Sequence, residues 1–256
     1  MVGKTSPVNA WTAYVQLNPK ARLRLFCLPY AGGGASIYRT WAKELPGSVE
    51  VVPVQLPGRE ARLREAPLTR IGPLVEAAGS SLSPYFDTPF CFFGHSMGSI
   101  VSFELARHLR RKYGLAPTHL FVSGRRAPHI PDPDPPKYNL PDKEFLAEIG
   151  RLNGTPDAAL QSEELMQLLL PTLRADCEVI DEYRFAEEPP LSCSITVYGG
   201  LDDPETRQEE LGAWRRHTGG GFCVQMFPGD HFFLQASRQP LLEALSAELA
   251  SLAAVV

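Results

Sequence analysis

Apolar residues in this chain come in short runs, and the length of each run sets its reading. Leu23-Arg24-Leu25-Phe26-Cys27-Leu28 is long enough for a buried strand and too short for a helix. Residues 49–54, 90–93, 119–123, 194–198 and 222–227 repeat the pattern. Between them, apolar positions recur three and four apart, the helical period, over residues 37–45, 74–82, 99–113, 205–217 and 240–252. Strands apolar on both faces, alternating with helices, predict a mostly parallel central sheet flanked by helices, an α/β fold. The chain has no internal repeat.

Residues 125–190 break the alternation. The stretch opens with Pro128-His129-Ile130-Pro131-Asp132-Pro133-Asp134-Pro135-Pro136, which neither a regular helix nor a central strand accommodates. Helical patterns follow over 142–152, 162–170 and 172–183, with Asp142 placed to cap the first. The stretch is inserted between two strands at the sheet edge where α/β proteins bind ligands. The expectation is a single domain over residues 1–256 with a helical lid insertion at about 125–190. The plainer alternative is a packing insertion that touches no substrate.

Composition narrows the classes. At 256 residues, 44% apolar and 21% charged, the chain suits one folded α/β domain. A net charge of −4 argues against nucleic acid as the main partner. No apolar stretch approaches the roughly 20 residues of a membrane span, and residues 1–7 lack the apolar core of a signal peptide. Cys27, Cys91, Cys177, Cys193 and Cys223 show no Cys-x-x-Cys spacing, so neither a zinc site nor a disulfide framework is expected. The expectation is a reduced, cytoplasmic protein without metal or cofactor.

Candidate chemistry begins at Gly94-His95-Ser96-Met97-Gly98, between a strand and a helix. That context turns Gly-x-Ser-x-Gly into a nucleophile elbow, with the serine held exposed above the sheet. A serine hydroxyl needs a base, and the base needs an orienting carboxylate, in the chain order Ser, acid, His. Of six histidines, His231 alone follows the last strand at the correct edge; His95, His108, His119, His129 and His217 lie too close, too far along a helix, at the wrong edge or in the proline-rich run. The acid belongs in the loop Gly199-Gly200-Leu201-Asp202-Asp203-Pro204. Asp203 is preferred over Asp202, because Pro204 is placed to start a helix that would hold it; Asp230 adjoins His231 too tightly and reads as a solvated charge. An oxyanion hole needs two N–H donors: Met97, after the nucleophile, and one from Tyr30-Ala31-Gly32-Gly33-Gly34, named as Ala31 to within one residue.

At this point the chain resembles the type II thioesterases of polyketide synthase and nonribosomal peptide synthetase pathways, of the α/β-hydrolase superfamily. The likeness runs through residues 28–36, Val54-Gln55-Leu56-Pro57-Gly58-Arg59-Glu60-Ala61-Arg62, the elbow, Ser123-Gly124-Arg125-Arg126-Ala127-Pro128, Leu170-Pro171-Thr172-Leu173-Arg174-Ala175-Asp176, and the two loops that hold Asp203 and His231. The family's triad falls on Ser96, Asp203 and His231. The resemblance implies hydrolysis of acyl thioesters from the phosphopantetheine arm of an acyl or peptidyl carrier protein, in editing or product release. The family often has Phe or His at Tyr30 and usually Gly at Asp230; both positions bear on substrate preference. Arg59, Arg62, Arg64, Arg125 and Arg126 near this edge are candidates for docking an acidic carrier protein, against a plainer reading as solvated charges or internal ion pairs. Two other functions share the scaffold: a small-molecule carboxylesterase or lipase-like hydrolase with the same triad, and a catalytically silent binding protein.

Overall fold

The computed structural model of the chain describes residues 9–151 and 162–256. The N-terminal stretch weighed as a signal peptide and residues 152–161 of the proposed insertion lie outside the described residues.

Six strands form the sheet: β1 (Leu23–Leu28), β2 (Val49–Pro53), β3 (Phe90–His95), β4 (His119–Ser123), β5 (Ser194–Gly200) and β6 (Phe222–Phe227). Their order is β2-β1-β3-β4-β5-β6 and every pairing is parallel. Strands β1 to β4 are buried at each position. Helices cover both faces, which explains why these strands read as continuous apolar runs rather than alternating ones. Strand β6 lies at an edge and does alternate, with Cys223 and Gln225 exposed between the partly buried Phe222, Val224 and Met226.

Helices α1 (Ile71–Leu82) and α2 (Met97–Tyr113) cover one face with Leu74, Val75, Ile100 and Val101. On the other face, Leu241, Leu245 and Leu249 of the C-terminal helix Arg238–Val255 pack with Tyr38 and Trp41. The sheet order reverses between β1 and β3, which opens a crevice at their carboxyl ends.

The inserted segment contains no strand among its described residues. It holds α3 (Asp142–Arg151) and α4 (Glu163–Asp181). Phe145, Met166 and Leu173 make a small apolar cluster of their own, and the Arg174 guanidinium lies 4.5 Å over the Phe145 ring.

Four expectations need correction. The helix expected over 37–45 is two short 3-10 turns, Ala35–Tyr38 and Trp41–Lys43. Tyr38 and Trp41, three apart, both turn inward there, and three per turn is the 3-10 period. The breaks expected around Pro171 do not occur: α4 runs through it, because Met166 on one side and Leu173 on the other pack into the same cluster. Asp142 is the first residue of α3 rather than its cap, and its carboxylate instead accepts from Arg174 at 2.5 Å. The helix expected over 205–217 begins only at α5 (Gln208–Gly212) and tightens into a 3-10 turn at Ala213–His217. Bonds from the backbone of Glu205 and the hydroxyl of Thr206 to Asp203 hold the chain in a loop until then.

Candidate active site

Strand β3 ends in a turn at Ser96, whose backbone sits at φ 52° and ψ −115° before α2 begins. A non-glycine residue in that region is strained and must be held by its surroundings. The Ser96 N–H donates to the Ser123 carbonyl at 2.8 Å, tying the turn to the end of β4. The Ser99 hydroxyl braces the same junction, 2.8 Å from the Gly94 carbonyl and accepting from the Ser123 N–H at 3.0 Å. A Cβ on Gly94 would lie closer than 3.0 Å to the Gly98 carbonyl, and one on Gly98 closer than 3.0 Å to the Leu28 carbonyl. The strand, turn and helix are therefore packed too closely for any side chain at the two glycines, and the serine is the one side chain lifted clear.

The fold brings Ser96, His231 and Asp203 together. His231 Nε2 lies 3.0 Å from Ser96 Oγ, and Nδ1 lies 3.1 and 3.0 Å from the two oxygens of Asp203. His231 and Asp203 are buried and Ser96 half-buried. Asp203 also accepts from the Glu205 N–H at 2.8 Å and the Thr206 hydroxyl at 2.9 Å. Burial pushes its carboxyl upward, but the bond to His231, the imidazole's charge and the two loop donors outweigh burial and hold it below the usual carboxylate range. The loop bonds, not a helix starting at Pro204, orient this carboxylate. Asp202 is exposed. The Asp230 carboxylate accepts the Phe232 N–H at 2.8 Å and so shapes the turn that carries His231.

Four of the other histidines have different partners. His95 Nδ1 meets Ser123 Oγ at 2.9 Å, and burial, then the nearby His231, lowers its pKa to about 3. His119 Nε2 meets Thr196 Oγ1 at 2.9 Å. His129 and His217, read separately in the sequence, face each other at 2.7 Å.

Ala31 and Met97 line one cavity with Ser96 and His231. Met97 opens α2, where the first N–H groups have no intrahelical acceptor and the helix dipole is positive. In the β1 loop, the Gly32 N–H is taken by Asp176 at 2.7 Å and the Gly33 N–H by the Tyr30 carbonyl at 2.9 Å. The Gly32 and Gly33 donors are thus committed within the fold, and Ala31 lies beside them on the cavity wall. The cavity encloses about 370 Å³. Ile149 of α3 and Leu169, Leu173, Cys177 and Ile180 of α4 form its apolar wall, and Arg125, Asp132 and Lys137 its charged one. Burial pushes the Cys177 thiol up to about 12, so that sulfur stays protonated. Tyr30 stands at the rim, its ring edge against Phe232 at 4.8 Å and its hydroxyl 3.4 Å from Gln235 Nε2.

The arginines singled out for docking are mostly internal. Arg59 is 4% exposed and forks onto Asp176 at 2.6 and 2.8 Å. Arg62 lies over the Trp11 ring at 4.5 Å and donates to Gln55 and Glu65. Arg125 and Arg126 both face Asp132. Of the five, Arg64 alone is exposed. Sequence reasoning did not find Thr206 or the Arg59–Asp176 pair. Both members of that pair lay in runs already noticed, but their pairing across 117 positions carries no local signal.

Comparison with known proteins agrees with this geometry. Residues 23–249 match the Thioesterase domain family. The chain is 46% identical over 244 residues, 95% of each protein, to the gramicidin S biosynthesis protein GrsT of Aneurinibacillus migulanus. Among solved structures it is similar to RedJ, a thioesterase from the prodiginine pathway of Streptomyces coelicolor, at 42% identity and a TM-score of 0.83, covering 89% of this chain and 86% of that one. BorB, the type II thioesterase of the borrelidin cluster, aligns at 35% identity and a TM-score of 0.83, covering 93% and 98%. A parallel sheet of the α/β-hydrolase kind, a strained serine elbow and these likenesses along nearly the whole chain place the protein in the thioesterase family, among the type II thioesterases of polyketide and nonribosomal peptide pathways.

Proposed function

We propose that this thioesterase removes acyl groups from the phosphopantetheine arm of an acyl or peptidyl carrier protein, through an acyl-enzyme on Ser96. The observation that carries the reading is the alignment of Ser96 Oγ, His231 and Asp203 at hydrogen-bond distance, opening into a cavity with an apolar wall. Ser96 Oγ attacks the thioester carbonyl while His231 Nε2 takes its proton. The N–H groups of Ala31 and Met97 hold the oxyanion. The tetrahedral intermediate collapses, the C–S bond breaks, and His231 returns the proton to the departing sulfur. Water, activated by the same histidine, then attacks the acyl ester, and the second collapse frees the acid and restores Ser96. Asp203 keeps Nδ1 protonated and stabilises the imidazolium formed in each half-reaction.

No step in this scheme calls for a metal or cofactor. Helices α3 and α4 act as the lid, because they supply the apolar wall against which an acyl chain packs. Editing and product release share this chemistry and differ in which acyl group fits. The work belongs to the cytoplasm, in keeping with five free thiols and with the absence of a membrane-spanning helix among the described residues. The test is release of a panel of acyl groups from phosphopantetheinylated carrier protein, followed by intact-mass spectrometry. Loss of acyl mass with the wild type and not with Ser96→Ala is the expected result. Cleavage of simple oxygen esters with no turnover of any carrier-bound acyl group refutes it in favour of a general esterase.

A further inference from the structure

One carboxylate of α4 reaches across to the loop after β1. Asp176 is 2% exposed, and its Oδ2 accepts both the Gly32 N–H at 2.7 Å and Arg59 Nη1 at 2.6 Å. Its Oδ1 accepts Arg59 Nη2 at 2.8 Å. The same guanidinium donates to the Gly33 carbonyl at 3.1 Å and to the Pro57 carbonyl at 3.2 Å. One turn earlier in α4, the Thr172 hydroxyl donates to the Gly58 carbonyl. Leu173 lies over Gly32, where a Cβ would come closer than 3.0 Å and where the backbone has φ +76°. Helix α4 is thus seated on two loops at once.

These bonds bear on the peptide planes around Ala31. The Tyr30 carbonyl and the Ala31 N–H belong to one planar peptide. The Gly33 N–H pins that plane through the carbonyl, at 2.9 Å. The Ala31 carbonyl and the Gly32 N–H belong to the next plane, and Asp176 pins that one. Both dihedrals of Ala31 are set between these two fixed planes.

We propose that Asp176, held by Arg59, is the positioning residue of the oxyanion hole, so that the aim of the Ala31 N–H depends on the seat of α4. The inference rests on the reading above, in which that N–H holds the oxyanion. It joins two properties of the lid: the helix that lines the acyl wall through Leu169, Leu173, Cys177 and Ile180 also fixes the donor. A buried ion pair that merely braced the fold would affect every ligand alike. A positioning pair affects the tetrahedral state selectively.

The test compares two probes with one acyl chain. A trifluoromethyl ketone adds Ser96 Oγ to its carbonyl and presents an oxyanion; the analogue with a methylene in place of that carbonyl binds without one. Asp176→Ala, which removes the Gly32 acceptor that an Asn amide oxygen would keep, should weaken the ketone about 10- to 100-fold and lower kcat for a carrier-bound thioester alike, somewhat less than complete loss of a donor. Affinity for the methylene analogue and KM should stay within about threefold. The paired change Arg59→Met with Asp176→Leu replaces the ion pair by apolar volume, which usually recovers stability. Its melting temperature should approach the wild type while ketone affinity stays low, because the Gly32 N–H still lacks an acceptor. Equal weakening of both probes, or wild-type ketone affinity in either folded variant, overturns the inference. Retention of ketone binding and turnover by Ser96→Ala instead overturns the acyl-enzyme reading, and this inference with it.

Discussion

Asp203→Asn exchanges one oxygen for an NH2, and the loop dictates which one. The Glu205 N–H can only donate, so the amide oxygen must stay at the Oδ1 position it now occupies, 2.8 Å away. The NH2 then falls at the Oδ2 position, where the Thr206 hydroxyl can rotate to accept from it. That NH2 also faces His231 Nδ1 across the present 3.0 Å. The two N–H groups repel across that contact and leave Nδ1 only the longer one, 3.1 Å to the amide oxygen, which disfavours the tautomer protonated on Nδ1, the one whose Nε2 can take the Ser96 proton. The imidazolium loses its counter-charge as well. For charges about 4 Å apart at an effective dielectric near 20, that attraction is about 4 kcal/mol, or about 10³ in kcat at 1.36 kcal/mol per decade. The tautomer penalty adds to this, and the comparable change in an unrelated protease triad costs about 10⁴. The assay is steady-state deacylation of a carrier-bound thioester, with melting temperature as a control for folding. The expectation is a fall in kcat of about 10³- to 10⁴-fold with KM little changed. Asp202→Asn and Asp230→Asn should stay within about threefold of wild type. A folded Asp203→Asn enzyme keeping more than about a tenth of its activity, or an equal loss in Asp202→Asn, refutes the assignment.

Three further outcomes follow from the packing. Burial lowers the pKa of His95 to about 3 and of His119 and His217 to about 4. The unfolded chain therefore binds more protons below about pH 6.5, and stability that is complete above that pH is lost as pH falls toward 4, by about 1.4 kcal/mol per pH unit for each histidine. Melting temperatures measured from pH 7 to 4.5 should fall steadily, and less steeply in His119→Gln; a flat profile counts against it. Gly98→Ala should prevent folding or cost several kcal/mol, since its Cβ meets the Leu28 carbonyl, whereas Gly212→Ala has open space and helical dihedrals (φ −60°, ψ −27°) and should gain about 0.4–1 kcal/mol. Urea titration of both variants checks the contrast, and equal stability of the two would contradict it. Leu169→Trp adds volume to the apolar wall of the cavity and should lower kcat/KM for long acyl chains more than for acetyl; an unchanged ranking of chain lengths would show that the acyl group lies elsewhere.

Much of this architecture was legible without coordinates, for a local reason. A strand buried on both faces reads as a near-continuous apolar run, so Leu23–Leu28 and His119–Ser123 were bounded correctly from their runs alone. The elbow is equally local, because its glycines are required by atoms within a few residues and by one neighbouring strand end. Chain order and sheet edge then picked out Asp203 and His231, whose side chains the fold brings to Ser96. Where local rules failed, packing across the chain overrode them. Pro171 is a breaker in isolation, yet Met166 and Leu173 keep one helix running through it. Arg59 and Arg126 look like surface charges until burial beside Asp176 and Asp132 turns them inward.

The sequence by itself determined the strands, the strained serine and the order of its partners, because periodicity and turn chemistry act between near neighbours. Tertiary structure decided what stands behind them: Thr206 against Asp203, His129 against His217, and Asp176 joined across 117 positions to Arg59. A buried polar group must find a partner somewhere, but which partner depends on how the elements pack, and no spacing along the chain records that.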